Sequence, residues 1–361
     1  MSNAKDISRT RKRKRPHEKT WLQEFILGGT STSIACLISN PFDVLKVRMQ
    51  LQGELKSKGS YQVHYRNIFT AAWTIIRVEG IFALQKGLGP AILYQFCMNG
   101  VRLGTFQTLV NMGQKADRER EEARRRGSAS PRSMDGPRDA SDSLPASSSP
   151  SNNVARSAVA GALGGALGGI VASPLYLVKT QLQSRALRAI AVGHQHEHTS
   201  TFQALRKIYG EQGLRGLWRG VEGAVPRLTL GSALQLSTFS YMKEAVRRSG
   251  HVEELWVPVV ASLLSSVNII IFMEPLDVVR TRLYNQPTDA RGRGLYYRGF
   301  WDCFRKVIQT EGFLHGMYKG AGAAYFRMAP QAIMGLSFWD SIRRAWYGTG
   351  AGDEGGDGGE E

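Results

Sequence analysis

Three segments of this 361-residue chain align without gaps: PFDVLKVR from Pro41, PLYLVKTQ from Pro174 and PLDVVRTR from Pro275. Each proline is followed 46, 46 or 45 residues later by the glycine of QKG (Gly87), WRG (Gly220) or YKG (Gly320). A 16-residue block lies between each such pair: residues 65–80, 198–213 and 297–312. Agreement at both ends and in the middle means one structural unit used three times, so the fold must be a pseudo-threefold assembly of similar units. The proline-to-proline spacings are 133 and 101; the excess falls in Gln114–Asn153, a charged and Ser/Pro-rich stretch.

Runs without Asp, Glu, Lys or Arg cover Phe25–Phe42, Ser157–Val178 and Leu255–Met273. A hydrocarbon core takes about 20 helical residues to cross, so each run reads as a span. Shorter runs at Gly87–Val101, Leu228–Met242 and Met328–Trp339 reach that length once Arg102, Arg227 and Arg327 at their borders are included. The expectation is an all-α membrane protein with six transmembrane helices in three repeats. Within the 16-residue blocks, apolar residues at positions 5, 8, 11 and 12 predict an amphipathic helix along the membrane surface.

The chain carries a net charge of +17, which favours anionic partners. Cys36, Cys97 and Cys303 include no C-x-x-C pair, which excludes a disulfide scaffold and a cysteine zinc module. The basic run at 11–15 belongs beside lipid or import machinery rather than nucleic acid, GGALGG at 164–169 lacks the Lys-Ser/Thr of a phosphate loop, and no metal site is assigned to HQHEH at 194–198. No catalytic constellation is present, so an enzyme is not expected. Gly161, Gly165 and Gly169, four apart, predict close helix approach.

A tripled P-x-[DE]-x-x-[KR] followed by [aromatic]-[KR]-G resembles the signature of the mitochondrial carrier family over residues 20–347. RMQLQGELK (48–56), LQKGLGPAILYQFCMNGVRLG (84–104) and TRLYNQP (281–287) are similar to its oxaloacetate-carrier-like branch. The resemblance implies that Pro41, Pro174 and Pro275 kink the odd-numbered spans so that their ends converge. It also implies a matrix gate pairing Asp43 with Lys179, Asp277 with Lys46 and, where the motif acid is missing, Tyr176 with Arg280. Gln181 stands where the family carries a bracing glutamine. Two ion pairs rather than three make a weaker gate. A cytoplasmic gate would involve Gln107, Ser240, Lys243, Asp340 and Arg343, with hydrogen bonds from Gln107 to Lys243 and from Ser240 to Arg343. Only WDSIR (339–343) there retains both acid and base. Glu274 precedes Pro275 and is expected to pair with Arg282.

Tyr94, Arg227 and Arg327 each stand seven residues after a motif glycine, at the level where the family reads substrate. With Arg102, Gln95, Asn99, Gln235 and Gln331 they form the expected substrate-binding set. Three guanidinium groups suit a small anion with two charged ends. The expected activity is alternating-access exchange of dicarboxylates or oxoacids such as oxaloacetate, with sulfate or a phosphorylated carboxylate as further cargo. A nucleotide or cofactor carrier of the same family and a non-transporting scaffold are the alternatives. No cofactor is expected beyond structural cardiolipin at Gly87, Gly220 and Gly320. The implied setting is the mitochondrial inner membrane, with the termini on the intermembrane-space side and the protein monomeric. The expected organisation is a disordered basic tail (1–20), repeats at 21–113, 154–250 and 251–347, a disordered loop (114–153) and an acidic Gly-rich tail (348–361).

Overall fold

The computed structural model describes residues 21–57, 59–128, 150–250, 252–253, 256–289 and 291–328. Among them the chain is helical, and the one β-type pairing is an isolated bridge between Thr288 and Gly294. Helix α1 (Trp21–Leu51) leads to a surface helix α2 (Ile68–Glu79) and a long α3 (Leu88–Ser128). The second unit runs α4 (Pro150–Val171), α5 (Ser173–Ser184), α6 (Thr201–Leu217) and α7 (Val221–Ser249). The third runs α8 (Val257–Asn285), α9 (Phe300–Glu311) and the short α10 (Phe313–Met317), and residues 321–328 open a further helix.

The uncharged runs that fall among the described residues form helices because in hydrocarbon a helix satisfies its own backbone groups. The prolines act differently in the three units. Pro41 and Pro275 lie inside the continuous helices α1 and α8, whereas Pro174 starts α5 after a break at Ala172, with a bend of 64°. Length and hydropathy alone qualify one described helix as a crossing, Val260–Asn285, or up to three if two bent pairs are each counted as one span. That is fewer than the six expected. Helix 321–328 leaves the described residues after its first turns, and polar and charged residues lower the mean hydropathy of the other helices.

Two of the three surface helices, α2 and α6, carry side-chain N-caps. Asn67 accepts a hydrogen bond from the Thr70 amide at 2.9 Å and Thr70 Oγ1 accepts one from the Asn67 amide at 3.0 Å, a reciprocal cap on α2. Ser200 caps α6 through the Gln203 amide. Each of the three packs on its own odd helix: Ile68 and Ile75 against Leu45 and Leu51, Ala204 and Ile208 against Leu177 and Leu182, Phe300 and Val307 against Val279 and Leu283.

The buried face differs from the predicted register. Position 11 is buried in every block as expected, but it is joined by position 7, and by position 4 in the first and third blocks, while position 5 is exposed: Phe69 by 72%, Phe202 by 80% and Trp301 by 76%. These helices have two apolar flanks, one on the bundle and one turned outward, and a repeat of apolar residues alone does not say which is which. Two further expectations are corrected. Residues 114–128, expected as loop, continue α3, where Glu and Arg alternate at spacings that support a helix, and Pro150–Asn153 open α4. Gly164 and Gly168, rather than Gly161, make a close approach: a Cβ at either would meet the Arg102 or Met98 carbonyl oxygen at 2.7 or 2.6 Å. Gly169 makes the close approach expected of it, because a Cβ there would overlap the Leu228 side chain. The tails 1–20 and 348–361 lie outside the described residues.

Candidate functional site: a ring of ion pairs where three helices converge

The ends of α1, α5 and α8 meet, and the motif charges meet with them. Lys179 Nζ lies 2.6 Å from Asp43 Oδ2, and Lys46 Nζ lies 2.6 Å from Asp277 Oδ2. All four side chains are buried. The third corner has no carboxylate. There the Arg280 guanidinium carbon stands 3.4 Å from the centre of the Tyr176 ring, a cation–π contact in place of an ion pair. Tyr94 and Tyr284 extend the aromatic wall, with ring centres 5.0 and 4.9 Å from Tyr176, and Arg280 Nη2 donates to the Tyr94 hydroxyl at 3.1 Å.

The arginines of the expected substrate level reach into this ring. Arg227 Nε donates to Asp277 Oδ1 at 2.6 Å, and Arg327 Nε stands 3.3 Å from Asp43 Oδ1. Each gate aspartate is therefore held by two cations, one from an odd helix and one from an even helix. Tyr94 belongs to the gate through Arg280. Arg102 is half-buried further along α3. Gln95 and Asn99 are buried, and Asn99 Nδ2 is engaged by the Gln95 carbonyl at 3.2 Å. The Gln235 and Ser240 side chains, and all of Gln331, Asp340 and Arg343, lie outside the described residues.

Gln181 Oε1 accepts a hydrogen bond from His198 Nε2 at 2.7 Å, and its Nε2 donates to the Tyr284 carbonyl at 3.4 Å. Two expected pairings are not formed. Glu274 does not pair with Arg282; Lys46 stands 3.2 Å from it and Gln50 Nε2 donates to it at 2.8 Å. Gln107 bonds Asn111 on its own helix at 2.9 Å, and Lys243 is exposed.

Sequence reasoning missed a second ring. The residue before each motif proline bonds the residue nine beyond the next repeat's proline: Gln183 Nε2 to Asn40 Oδ1 at 2.9 Å, Ser173 to the Tyr284 hydroxyl at 2.7 Å, and Gln50 to Glu274. A polar residue ahead of all three prolines was the available signal.

A third ring fastens the surface helices. Arg48 donates twice to Glu79, at 3.2 and 2.9 Å, and Lys86 reaches the same carboxylate at 2.6 Å. Arg282 likewise grips Glu311 with both nitrogens, and Lys319 joins it at 2.6 Å. Burial favours the neutral acid, but these cations outweigh it and hold Glu79 and Glu311 below the ordinary carboxylate range.

Gly87, Gly220 and Gly320 all adopt the left-handed conformation, with φ of 72, 81 and 87°. A Cβ on Gly87 would meet Gln183 at 2.8 Å, and one on Gly320 would meet the Lys46 carbonyl oxygen at 3.2 Å, so these glycines let each even helix start against the next odd helix.

Three helical units joined in a ring by buried, alternating charges define a membrane carrier built from three repeats. A family model described as "Mitochondrial carrier protein" matches residues 17–117, 150–250 and 252–349. The chain is 46% identical to mouse "Solute carrier family 25 member 35" over 328 residues, 90% of this chain and 99% of that protein. It is 31% identical to the "Mitochondrial oxaloacetate transport protein" of Saccharomyces cerevisiae over 90% of this chain and 89% of that protein. It is 33% identical to the Aspergillus niger "Mitochondrial citrate transporter E" over 89% of this chain and 92% of that protein. The chain belongs to the mitochondrial carrier family, whose members are transporters rather than enzymes.

Proposed function

We propose that this chain exchanges small dianionic carboxylates, of the dicarboxylate or oxoacid class, across the mitochondrial inner membrane. The observation that carries the reading is the charge imbalance at the ring and just above it. Among the described residues, Asp43, Asp277 and Glu274 share the ring with Lys46, Lys179, Arg227, Arg280 and Arg327. Three carboxylates against five cations leave room for about two negative charges from a substrate. Two relatives whose printed names specify oxaloacetate and citrate fit the same chemistry.

The mechanism follows from the doubly held aspartates. A dicarboxylate arriving from the open end offers Arg227 and Arg327 an alternative bidentate partner at each of its ends. Once they turn to it, Asp277 and Asp43 lose the cations that tie the even helices to the odd ones. Lys46 and Lys179 alone then hold the gate. Binding is thereby spent on loosening one closed state, which is the differential affinity that a change of access requires. The Tyr176–Arg280 corner lowers the barrier further, because a cation–π contact is weaker than a buried ion pair.

In this reading the converging ends face the matrix, the termini lie on the intermembrane-space side, and cardiolipin phosphates sit at the helix starts marked by Gly87, Gly220 and Gly320. Counter-exchange in liposomes, screened with dicarboxylates, oxoacids, sulfate and nucleotides, tests the substrate class. Exchange of dicarboxylates is the expected result. Uptake of nucleotides alone would refute it, and inactivity of a folded preparation towards all of them would favour a scaffold.

A further inference from the structure

Two arginines of α8 are buried alike and served unequally. Arg280 and Arg282 are 3% and 0% exposed. Arg282 donates from all three of its nitrogens, to Glu311 and to the Gln50 carbonyl. Arg280 makes one hydrogen bond among the described residues, from Nη2 to the Tyr94 hydroxyl at 3.1 Å. Its Nε is enclosed without a partner, and it forms no ion pair among the described residues. Where repeats 1 and 3 carry Asp43 and Asp277, repeat 2 offers Arg280 the ring of Tyr176. A ring face attracts a cation but brings no counter-charge. A guanidinium buried with most of its donors idle carries a desolvation cost that an arriving anion relieves.

The neighbours of Arg280 belong to the substrate level. Gly223 on α7 backs onto it: a Cβ there would meet the Arg280 Cα at 3.1 Å. Arg227 follows Gly223 by about one turn of α7, and it grips Asp277, about one turn before Arg280 on α8. Arg227 and Arg280 therefore belong to one seam between α7 and α8, whereas Arg327 stands at Asp43 on α1. Tyr94, on the even helix α3 at the level of Arg227 and Arg327, joins Arg280 to that level through its hydroxyl. The corners differ in what binding costs. To take a substrate carboxylate, Arg227 and Arg327 must each leave an aspartate, and Arg280 has none to leave.

We propose that Arg280 binds substrate as well as closing the gate: the carboxylate that draws Arg227 from Asp277 is received by Arg227 and Arg280 together. The substrate thereby supplies the acid that the motif lacks at Tyr176. The inference rests on the dicarboxylate exchange argued above. It makes the site lopsided, with two guanidiniums for one end of the substrate and Arg327 for the other.

The test uses the full chain in liposomes and two substitutions. Counter-exchange of malate, malonate and oxaloacetate is measured, and KM is taken for the one that the wild type exchanges fastest. Tyr176→Asp gives Arg280 a carboxylate of its own, and Arg280→Gln removes the cation. As changes to the gate the two are opposites, so a role in closure alone predicts opposed effects on kcat with KM held. As changes to the substrate site they are alike. Both are expected to raise KM at least about 10-fold, the scale of a lost charge-assisted hydrogen bond. Both are also expected to shrink the rise in melting midpoint that the same substrate gives the wild type in detergent. Tyr176→Asp with the wild-type KM and the full substrate-induced rise overturns the inference and leaves dicarboxylate exchange standing. The same result in Arg280→Gln does so where Tyr176→Asp fails to fold. A wild type that exchanges none of the three overturns both.

Discussion

Repeats 1 and 3 fasten their converging ends with charge, and repeat 2 fastens its end with aromatic rings and amides. At the gate, the corners built on Asp43 and Asp277 are ion pairs of 2.6 Å, while the corner built on Tyr176 is a ring beneath Arg280. At the surface helices, Arg48–Glu79–Lys86 and Arg282–Glu311–Lys319 stand against Gln181, Gln212 and Arg219. Both losses fall in the same repeat. The backbone geometry is nevertheless kept, because Gln181 donates to the next repeat's carbonyl at 3.4 Å much as Arg48 and Arg282 do at 3.2–3.3 Å or less. Threefold shape thus survives a twofold pattern of charge.

The sharpest way to break this comparison is to remove one carboxylate. Glu311→Gln leaves Arg282 and Lys319 buried without a counter-charge and is expected to cost about 3–5 kcal/mol. Gln212→Ala, at the equivalent place in repeat 2, is expected to cost about 1 kcal/mol or less. Thermal or denaturant unfolding of the two variants side by side measures the gap; equal losses would mean that the repeats are fastened alike.

Next in size is the aromatic corner. Tyr176→Ala removes the surface under Arg280 together with packing against Tyr94 and Tyr284, for an expected loss of about 2–3 kcal/mol. Tyr176→Phe keeps the ring and is expected to stay within about 1 kcal/mol of wild type. If Phe were as damaging as Ala, the hydroxyl rather than the ring would carry this corner.

The smallest effect concerns a carboxyl beside the third ring. Glu54 accepts a hydrogen bond from the Tyr297 hydroxyl at 3.0 Å, its other oxygen is enclosed without a partner, and burial pushes it up to about 7. Between its ordinary value and about 7 the folded state binds the extra proton, so stability falls as pH rises through that window and levels off above it. Glu54→Gln is expected to flatten this slope and to gain about 1 kcal/mol at pH 8, read from unfolding midpoints across pH 5–8.

The sequence made the threefold plan and the gate's two ion pairs legible, because a motif repeated in register fixes which residues arrive at the same level on adjacent helices. It did not reveal that Arg227 and Arg327 would bind the gate aspartates: register sets the height of an arginine along a helix, not the direction its long side chain takes. The Asn40–Gln183, Ser173–Tyr284 and Glu274–Gln50 ring escaped because each pair uses different chemistry, leaving no common residue type to recognise. The surface helices were placed correctly in the chain but rotated, since Phe69, Phe202 and Trp301 made an outward flank look like a core face.

Substrate exchange by liposomes carrying Arg227→Ala or Arg327→Ala bears most directly on the proposed carrier cycle. Both variants should fold, because Lys46 and Lys179 still hold Asp277 and Asp43, yet lose at least about 100-fold in dicarboxylate exchange, the scale of losing one charged, bidentate contact. Dicarboxylate exchange at the wild-type rate in both variants would contradict the account.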